Sequence, residues 1–452
     1  MTRRVLVLTY FFPPIGGVGV QRTLKFVEHL PALGWDAVVV APRGAVYRVM
    51  DPGSVETLDP DLEVHRVLSV EPARLRAVVR EVVRRLGPTR NADVALTPLP
   101  PRTATTARGP RRWLNAVWSA WVRMFFIPDE QMGWIPIAAR AAAAIHRQQP
   151  VDVIYSSSPP ASAHLAAGLA KAMTGQPWVA DLRDPWVGNA FAPPRSALRG
   201  RLERWLESWV IRHADRVVFA TPGLRARYVD RYPSHARRFV TITNGYDPAE
   251  VGKPSAASDR ADGRFRLVYA GSVYGSRELR TFLDGLDLAV RQRSDLRERL
   301  RVEFVGWMTP DNRHLALTRA EQLEPILRID GFVPRDEALE RVRSADASLL
   351  LLADGPDRDL FVGAKLFESI GLNRQVLAMA PPGDARAILS ELDWGVVADP
   401  RPESVAAALL TIVDAPAESR HADPEGRYDR RRLADALAGV LDDVARPTVE
   451  SA

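Results

Sequence analysis

The chain has no cysteine, only four lysines (Lys25, Lys171, Lys253 and Lys365) among its 61 basic residues, and eight scattered histidines. Without thiols there is no disulfide framework, no thiolate nucleophile, no thiolate metal site and no thiol redox chemistry, a composition that fits the cytosol. No cluster of histidine and acidic residues carries metal-ligand spacing, so no metal site is expected. The apolar runs are too short for a membrane-spanning helix, which needs about 20 residues, and a soluble or peripheral protein is expected. The start, Met1 to Phe12, imitates the apolar part of a leader peptide. Pro13-Pro14 and Gly16-Gly17 follow at once with no small-residue cleavage site, so Val5–Thr9 is read as a first β-strand.

What is present is 452 residues, enough for two domains, 46% hydrophobic and 26% charged. The net charge of +6 favours polyanionic surroundings without choosing among nucleic acid, anionic lipid and phosphorylated substrates, and no nucleic-acid motif is recognisable. Apolar β-branched runs at Val5–Thr9, Ala37–Ala41, Val151–Tyr155, Trp178–Asp181 and Arg216–Ala220 alternate with helix-like segments such as Val20–Leu33 and Ala161–Thr174. This rhythm predicts a parallel α/β sheet. Asp247 to Gly263 lacks periodicity and reads as a linker. A second series follows at Arg266–Ala270, Arg301–Val305, Arg328–Gly331, Ala347–Leu352, Val376–Ala380 and Gly395–Val397, so two Rossmann-like units in tandem are expected. Tyr428 to Val444 predicts a terminal amphipathic helix, and Thr97 to Arg112 a loop. Segment 111–127 mixes Trp113, Trp118, Trp121, Phe125 and Phe126 with arginines. It reads either as a core helix or as a peripheral membrane contact.

Candidate functional residues gather where strands end. After the first strand, Gly16 and Gly17 let backbone amides approach a phosphate or sugar at a helix N-terminus, the alternative being a tight turn. The spacing is not the dinucleotide fingerprint, which argues against a nicotinamide dehydrogenase. Ser156-Ser157-Ser158-Pro159-Pro160 ends another strand, with His164 just beyond it on a helix facing the sheet. Asp181-Leu182-Arg183-Asp184-Pro185-Trp186 ends a third; there Asp184 can be a polar contact or a base, and Arg183 can pair with either aspartate in a purely structural turn. In the second unit, Arg277 lies six residues beyond the strand-ending Gly271 and can reach a diphosphate through its planar fork. Lys365 and Glu368, in Gly363-Ala364-Lys365-Leu366-Phe367-Glu368, share one helix face and form either a solvated ion pair or an anion site.

These motifs, in this order from Val5 to about Ile412, resemble family 4 of the glycosyltransferases. The resemblance is carried by Phe11–Gly17, Asp181–Trp186, Ala214–Val218, Thr243–Asp247, Tyr269–Ser272, Gly331–Pro334 and Lys365–Glu368. It implies an α/β GT-B fold of two Rossmann-like domains facing across a cleft: an acceptor-side domain over 1–250, a linker over 251–263, a nucleotide-sugar domain over 264–415, and a C-terminal helix over 416–452 that packs back on the N-terminal domain. It further implies a retaining glycosyltransferase moving a sugar from a nucleotide-diphosphate donor to a polysaccharide, lipid-linked or natural-product acceptor, without a covalent enzyme intermediate. No cofactor and no obligatory metal are implied.

By position, Arg277 replaces the family's diphosphate-binding lysine and Ser272 stands where an arginine is typical. Lys365 turns to the diphosphate, and Glu368 to the ribose. Gly331, Phe332 and Val333 would line the base, Gly16 and Gly17 the phosphate and sugar, Gly363 the donor, and Asp181, Arg183 and Asp184 the acceptor, with Asp184, Arg277 and Lys365 as the catalytic set. Leu360 occupies the place of a first family glutamate that contacts the donor sugar; Asp357, Asp359 or the amides of Phe361–Gly363 are its substitutes. That departure keeps two alternatives open, a GT-B nucleotide- or glycan-binding protein without turnover and a nucleotide-sugar epimerase. The expected location is cytoplasmic, with peripheral contact on the inner face of a membrane through 111–127.

Overall fold

The computed structural model describes residues 2–44, 50–72, 126–189, 196–252, 263–273, 276–352, 359–415 and 421–445. They divide into two compact units, one comprising Met1–Ala220, Leu224–Ile242 and Ala434–Ala452, the other Thr221–Gly223 and Thr243–Leu433. The expected loop over 97–112 and nearly all of segment 111–127 lie outside the described residues.

The first unit is a parallel sheet of β1 (Arg3–Thr9), β2 (Trp35–Pro42), β3 (Glu63–Val67), β4 (Val153–Ser158), β5 (Trp178–Leu182), β6 (Arg216–Phe219) and β7 (Phe239–Thr241), in the order β3-β2-β1-β4-β5-β6-β7. Among the described residues the helices packed with it are α1 (Val18–His29), α2 (Ile135–Gln148), α3 (Ser162–Thr174), α4 (Ala197–His213) and, from Leu224 onward, α5 (Pro222–Arg231). Because helices cover both faces, the central strands are continuous apolar runs: Val5 to Leu8 and Ala37 to Ala41 are all buried. Register places Leu8 beside Ser156 and Thr9 beside Ser157, which brings the loops after β1 and β4 to the same edge.

The second unit repeats the plan with β8 (Phe265–Ala270), α6 (Ser276–Gln292), β9 (Leu300–Val305), α7 (Pro310–Gln322), β10 (Leu327–Asp330), α8 (Arg335–Arg343), β11 (Ala347–Leu351), α9 (Ala364–Gly371), β12 (Gln375–Met379), α10 (Asp384–Leu392), β13 (Gly395–Ala398) and α11 (Pro402–Asp414), in the order β10-β9-β8-β11-β12-β13. Side chains alternate across this sheet. Leu267 and Tyr269 enter a core with Phe282, Phe304 and Leu409, while Val268 enters one with Phe367, Val376 and Trp394 on the other face. Each fully buried Leu, Val or Phe contributes about 1.5–3 kcal/mol.

Helix α12 (Arg430–Ala445) joins the first unit from Ala434 onward, where Asp442 accepts a 3.0 Å hydrogen bond from Trp35 Nε1 and pairs with Arg3. The expected linker starts later than the composition suggests. Asp247 is buried and caps a one-turn helix over Pro248–Val251 by accepting from Ala249 N, so only 253–262 lie outside the described residues there.

Candidate active site

Both sheets reverse their strand order, between β1 and β4 and between β8 and β11. Adjacent loops leave the sheet in opposite directions at such a point and open a crevice beyond the strand C-termini, where α/β proteins take their ligands.

In the second unit, Gly271 and Ser272 directly follow β8, while Gly363 caps α9, the helix following β11, with Lys365 in its first turn. Lys365 lies across the end of β8: its ammonium sits 3.8 Å from the ring centroid of Tyr269. Gly271 has φ +133°, a conformation that favours glycine, and a Cβ there would meet Cε and Nζ at the flexible tip of Lys365. The Tyr269 hydroxyl donates to Ser272 O at 2.9 Å, fixing the ring beneath the lysine. Burial depresses the Lys365 pKa to about 8, with the Glu368 carboxylate opposing the drop. Lys365 and Glu368 do not pair. Glu368 Oε1 instead accepts from Arg335 Nη1 at 3.0 Å, and Arg335 Nη2 holds Glu250 at 2.9 Å. Among the described residues the Lys365 ammonium has no carboxylate partner within ion-pair distance, and Glu368 Oε2 makes no hydrogen bond.

The neighbouring strand ends complete this edge. Gly271 N donates to Val305 O and Gly306 N to Gly331 O, so β8, β9 and β10 finish in step. Phe332 follows with 82% of its surface exposed, beside the exposed Gly331 and the half-buried Val333. Arg277 lies in the first turn of α6, and its side chain is outside the described residues, as is Asp357. Leu360 is buried and has no polar group to offer a sugar. Asp359 accepts Asp384 N through its backbone carbonyl. Among the described residues no three His, Asp or Glu side chains gather as a metal site.

In the first unit, Gly17 at φ +94° is the N-cap of α1 and Gly16 is buried before it; no side chain caps this helix, and in its first turn Val20 N donates to Gly17 O at 3.1 Å. Asp181 and Arg183, expected at the acceptor, belong to the scaffold instead. Asp181 is fully buried and takes both forks of Arg22 at 2.9 Å, the Tyr155 hydroxyl at 2.7 Å and Ser157 Oγ at 3.0 Å, which leaves it nothing to offer a substrate. Burial would raise its pKa, but the Arg22 charge and these hydrogen bonds outweigh burial and hold it below the usual carboxylate range. Arg183 pairs with neither aspartate. It donates to the carbonyls of Ser158 at 2.7 Å, Pro159 at 3.3 Å and Gly19, stitching the loops after β1, β4 and β5 together.

Asp184 differs. It is half-buried, makes no hydrogen bond among the described residues, and has its pKa raised by burial and by Asp181 against the pull of Arg183. His164 faces the sheet from α3, fully buried, with Nδ1 2.8 Å from Ser156 Oγ. Sequence reasoning gave no role to Arg22, Tyr269 or Arg335. Arg335 directly follows Gly331–Pro334 and Tyr269 opens the Tyr269–Ser272 motif, so both had a legible signal; Arg22 had none.

Residues 76–250 match the model of Glycosyltransferase Family 4. A curated relative, the D-inositol 3-phosphate glycosyltransferase of Kineococcus radiotolerans, is 29% identical over 239 residues, 47% of this chain and 52% of that protein. The chain thus spans about half the length of the relative it matches. Among solved structures, sucrose-phosphate synthase from Thermosynechococcus elongatus is similar with a TM-score of 0.63 at 15% identity, covering 98% of this chain and 99% of that one. Anabaena Alr3699/HepE, in complex with UDP and glucose, is similar at 0.60 and 14%, covering 98% and 100%. At such identities the likeness shows the fold. The chain therefore has the two-domain α/β GT-B fold, and its residues 76–250 are similar to glycosyltransferase family 4.

Proposed function

We propose that the protein is a nucleotide-sugar-dependent glycosyltransferase that retains anomeric configuration, takes its donor at the C-terminal strand edge of the second unit and its acceptor at that of the first. One observation carries the reading: at the strand reversal of the second unit, the Lys365 ammonium has no carboxylate partner among the described residues and stands over the turn where a diphosphate would lie. Arg277 is placed by the chain to add a second cation to that diphosphate. Glu368, held by one oxygen on Arg335, keeps Oε2 for the ribose hydroxyls. Phe332 offers an exposed ring for the base. Gly363 and the amides near it complete the phosphate contacts of the second unit, and Gly16 and Gly17 offer amides to a phosphate or sugar at the strand edge of the first.

In the step itself, the acceptor oxygen bonds to the anomeric carbon on the face from which the diphosphate departs. The C1–O bond breaks with its electron pair going to the diphosphate, and the acceptor proton passes to the departing oxygen or to Asp184. Charge builds on the diphosphate as it leaves, so donors held in place at that group act where they count, each worth ~3–4 kcal/mol in comparable sites. Lys365 and Arg277 supply this charge, and no obligatory metal is invoked.

The acceptor is a hydroxyl of a polysaccharide, lipid-linked or natural-product molecule. The inositol phosphate in the relative's name and the UDP in the Anabaena complex commend polyol phosphates and uridine donors for first trial. A second reading, a binding module without turnover, is favoured by the buried Leu360 at the position of a donor-sugar glutamate. Incubating the protein with nucleotide sugars and candidate acceptors decides between them. Release of nucleoside diphosphate matched by a glycosylated product supports the enzyme, whereas saturable binding without release supports the module.

A further inference from the structure

Helix α4 is built inside out. Its two acidic residues, Glu203 and Glu207, are fully buried, while Leu198, Leu202 and Trp205 are 77%, 38% and 56% exposed. Both glutamates are held inside: Glu203 accepts from Arg199 Nε at 2.7 Å through one oxygen, and Glu207 gathers Val187 N, the Tyr228 and Tyr232 hydroxyls and Arg231 at 2.7–2.9 Å. This network fixes the rotation of the helix and turns the apolar side chains outward. At spacings of four and three residues they form one stripe. Arg201, Arg204 and Arg212 are exposed beside it, and no acidic residue of α4 reaches the surface. Leu169 and Met173 are also exposed on α3, which packs against α4 where Gly168 meets Trp209.

We infer that this face of α4 is a docking surface for an anionic phospholipid bilayer. Leucine and tryptophan enter the headgroup–acyl boundary while arginines meet the lipid phosphates, a pairing that a bilayer satisfies at once. A free anion would leave the apolar stripe in water. A second copy related by a two-fold axis would bring Arg201 and Arg204 against their own counterparts. The inference is independent of the donor and of turnover, and lies on residues other than 111–127.

The test is flotation of the full chain with phosphatidylcholine vesicles, with or without one quarter phosphatidylglycerol, at low and high salt. The protein is expected to float with the anionic vesicles and to be released by salt. Leu198→Ser/Trp205→Ser and, separately, Arg201→Gln/Arg204→Gln are each expected to weaken that binding roughly tenfold or more, with unfolding midpoints unchanged because all four side chains are exposed. Absence of flotation, or equal flotation of wild type and both variants, overturns the inference. So does a dimer in light scattering that the Leu198→Ser/Trp205→Ser variant dissociates, since a second copy would then cover the face.

Discussion

Replacing Gly271 with alanine loads the backbone and Lys365 separately, and the two effects can be read apart. At φ +133° a residue with a Cβ is strained by about 1–3 kcal/mol. The added methyl also meets the tip of Lys365, a flexible group that can swing away and relieve the clash. In doing so it loses its seat on the Tyr269 ring, worth about 0.5–2 kcal/mol. Denaturant unfolding should therefore show a loss of roughly 1–3 kcal/mol, the relaxed lysine moderating the total. Nucleoside diphosphate affinity, measured by calorimetry, should fall by the value of one charge-assisted hydrogen bond, about 1.5–3 kcal/mol or roughly 10- to 150-fold. Lys365→Ala should cost a similar amount, and Gly271→Ala added to Lys365→Ala should cost little more affinity because the displaced group is already gone. Additive losses, or a Gly271→Ala protein that binds as wild type, would refute the reasoning.

Nucleoside diphosphate binding should weaken as pH rises through about 8, because Lys365 loses its charge there, and Lys365→Arg should flatten the profile; a wild-type profile flat from neutral to alkaline pH would sink this. Asp181→Asn leaves the buried Arg22 without its counter-charge and should destabilise by roughly 3–5 kcal/mol, whereas Asp184→Asn should leave unfolding near wild type while lowering turnover. Burial lowers the His164 pKa from 6.5 to about 4, so the protein favours the neutral ring; that contribution is complete above pH 6.5, falls as pH drops towards 4, and amounts to roughly 3 kcal/mol at most. Thermal unfolding across this window should be less acid-sensitive in His164→Gln.

The strands were legible because a parallel sheet covered on both faces demands largely apolar runs, and Val5–Leu8 of β1, Ala37–Ala41 of β2 and Leu349–Leu351 of β11 are written that way. Strands β3 and β7 were not: both are edge strands, and the partly exposed Glu63–Val67 and the three-residue Phe239–Thr241 carry too little pattern. In the site, the spacing of Lys365 and Glu368 disclosed a shared helix face but not their partners. Arg335 arrives from thirty-three residues away and takes the glutamate, which leaves the lysine to Tyr269. Asp181 and Asp184 look equivalent in sequence; only burial and Arg22, which α1 delivers from a distant point in the chain, separate scaffold from candidate site. Helix α4 misleads in the same way, because its glutamates find partners inside that periodicity cannot foresee.

The central claim is transfer from a nucleotide sugar at the Lys365 edge, and the most direct measurement is chromatographic detection of nucleoside diphosphate and glycosylated product over a panel of donors and hydroxyl acceptors. The account predicts that one donor yields the two products in equal amounts, with the anomeric configuration kept, and that Lys365→Ala abolishes the yield while the fold survives. Saturable donor binding with no product across the panel, or undiminished turnover by Lys365→Ala, would contradict it.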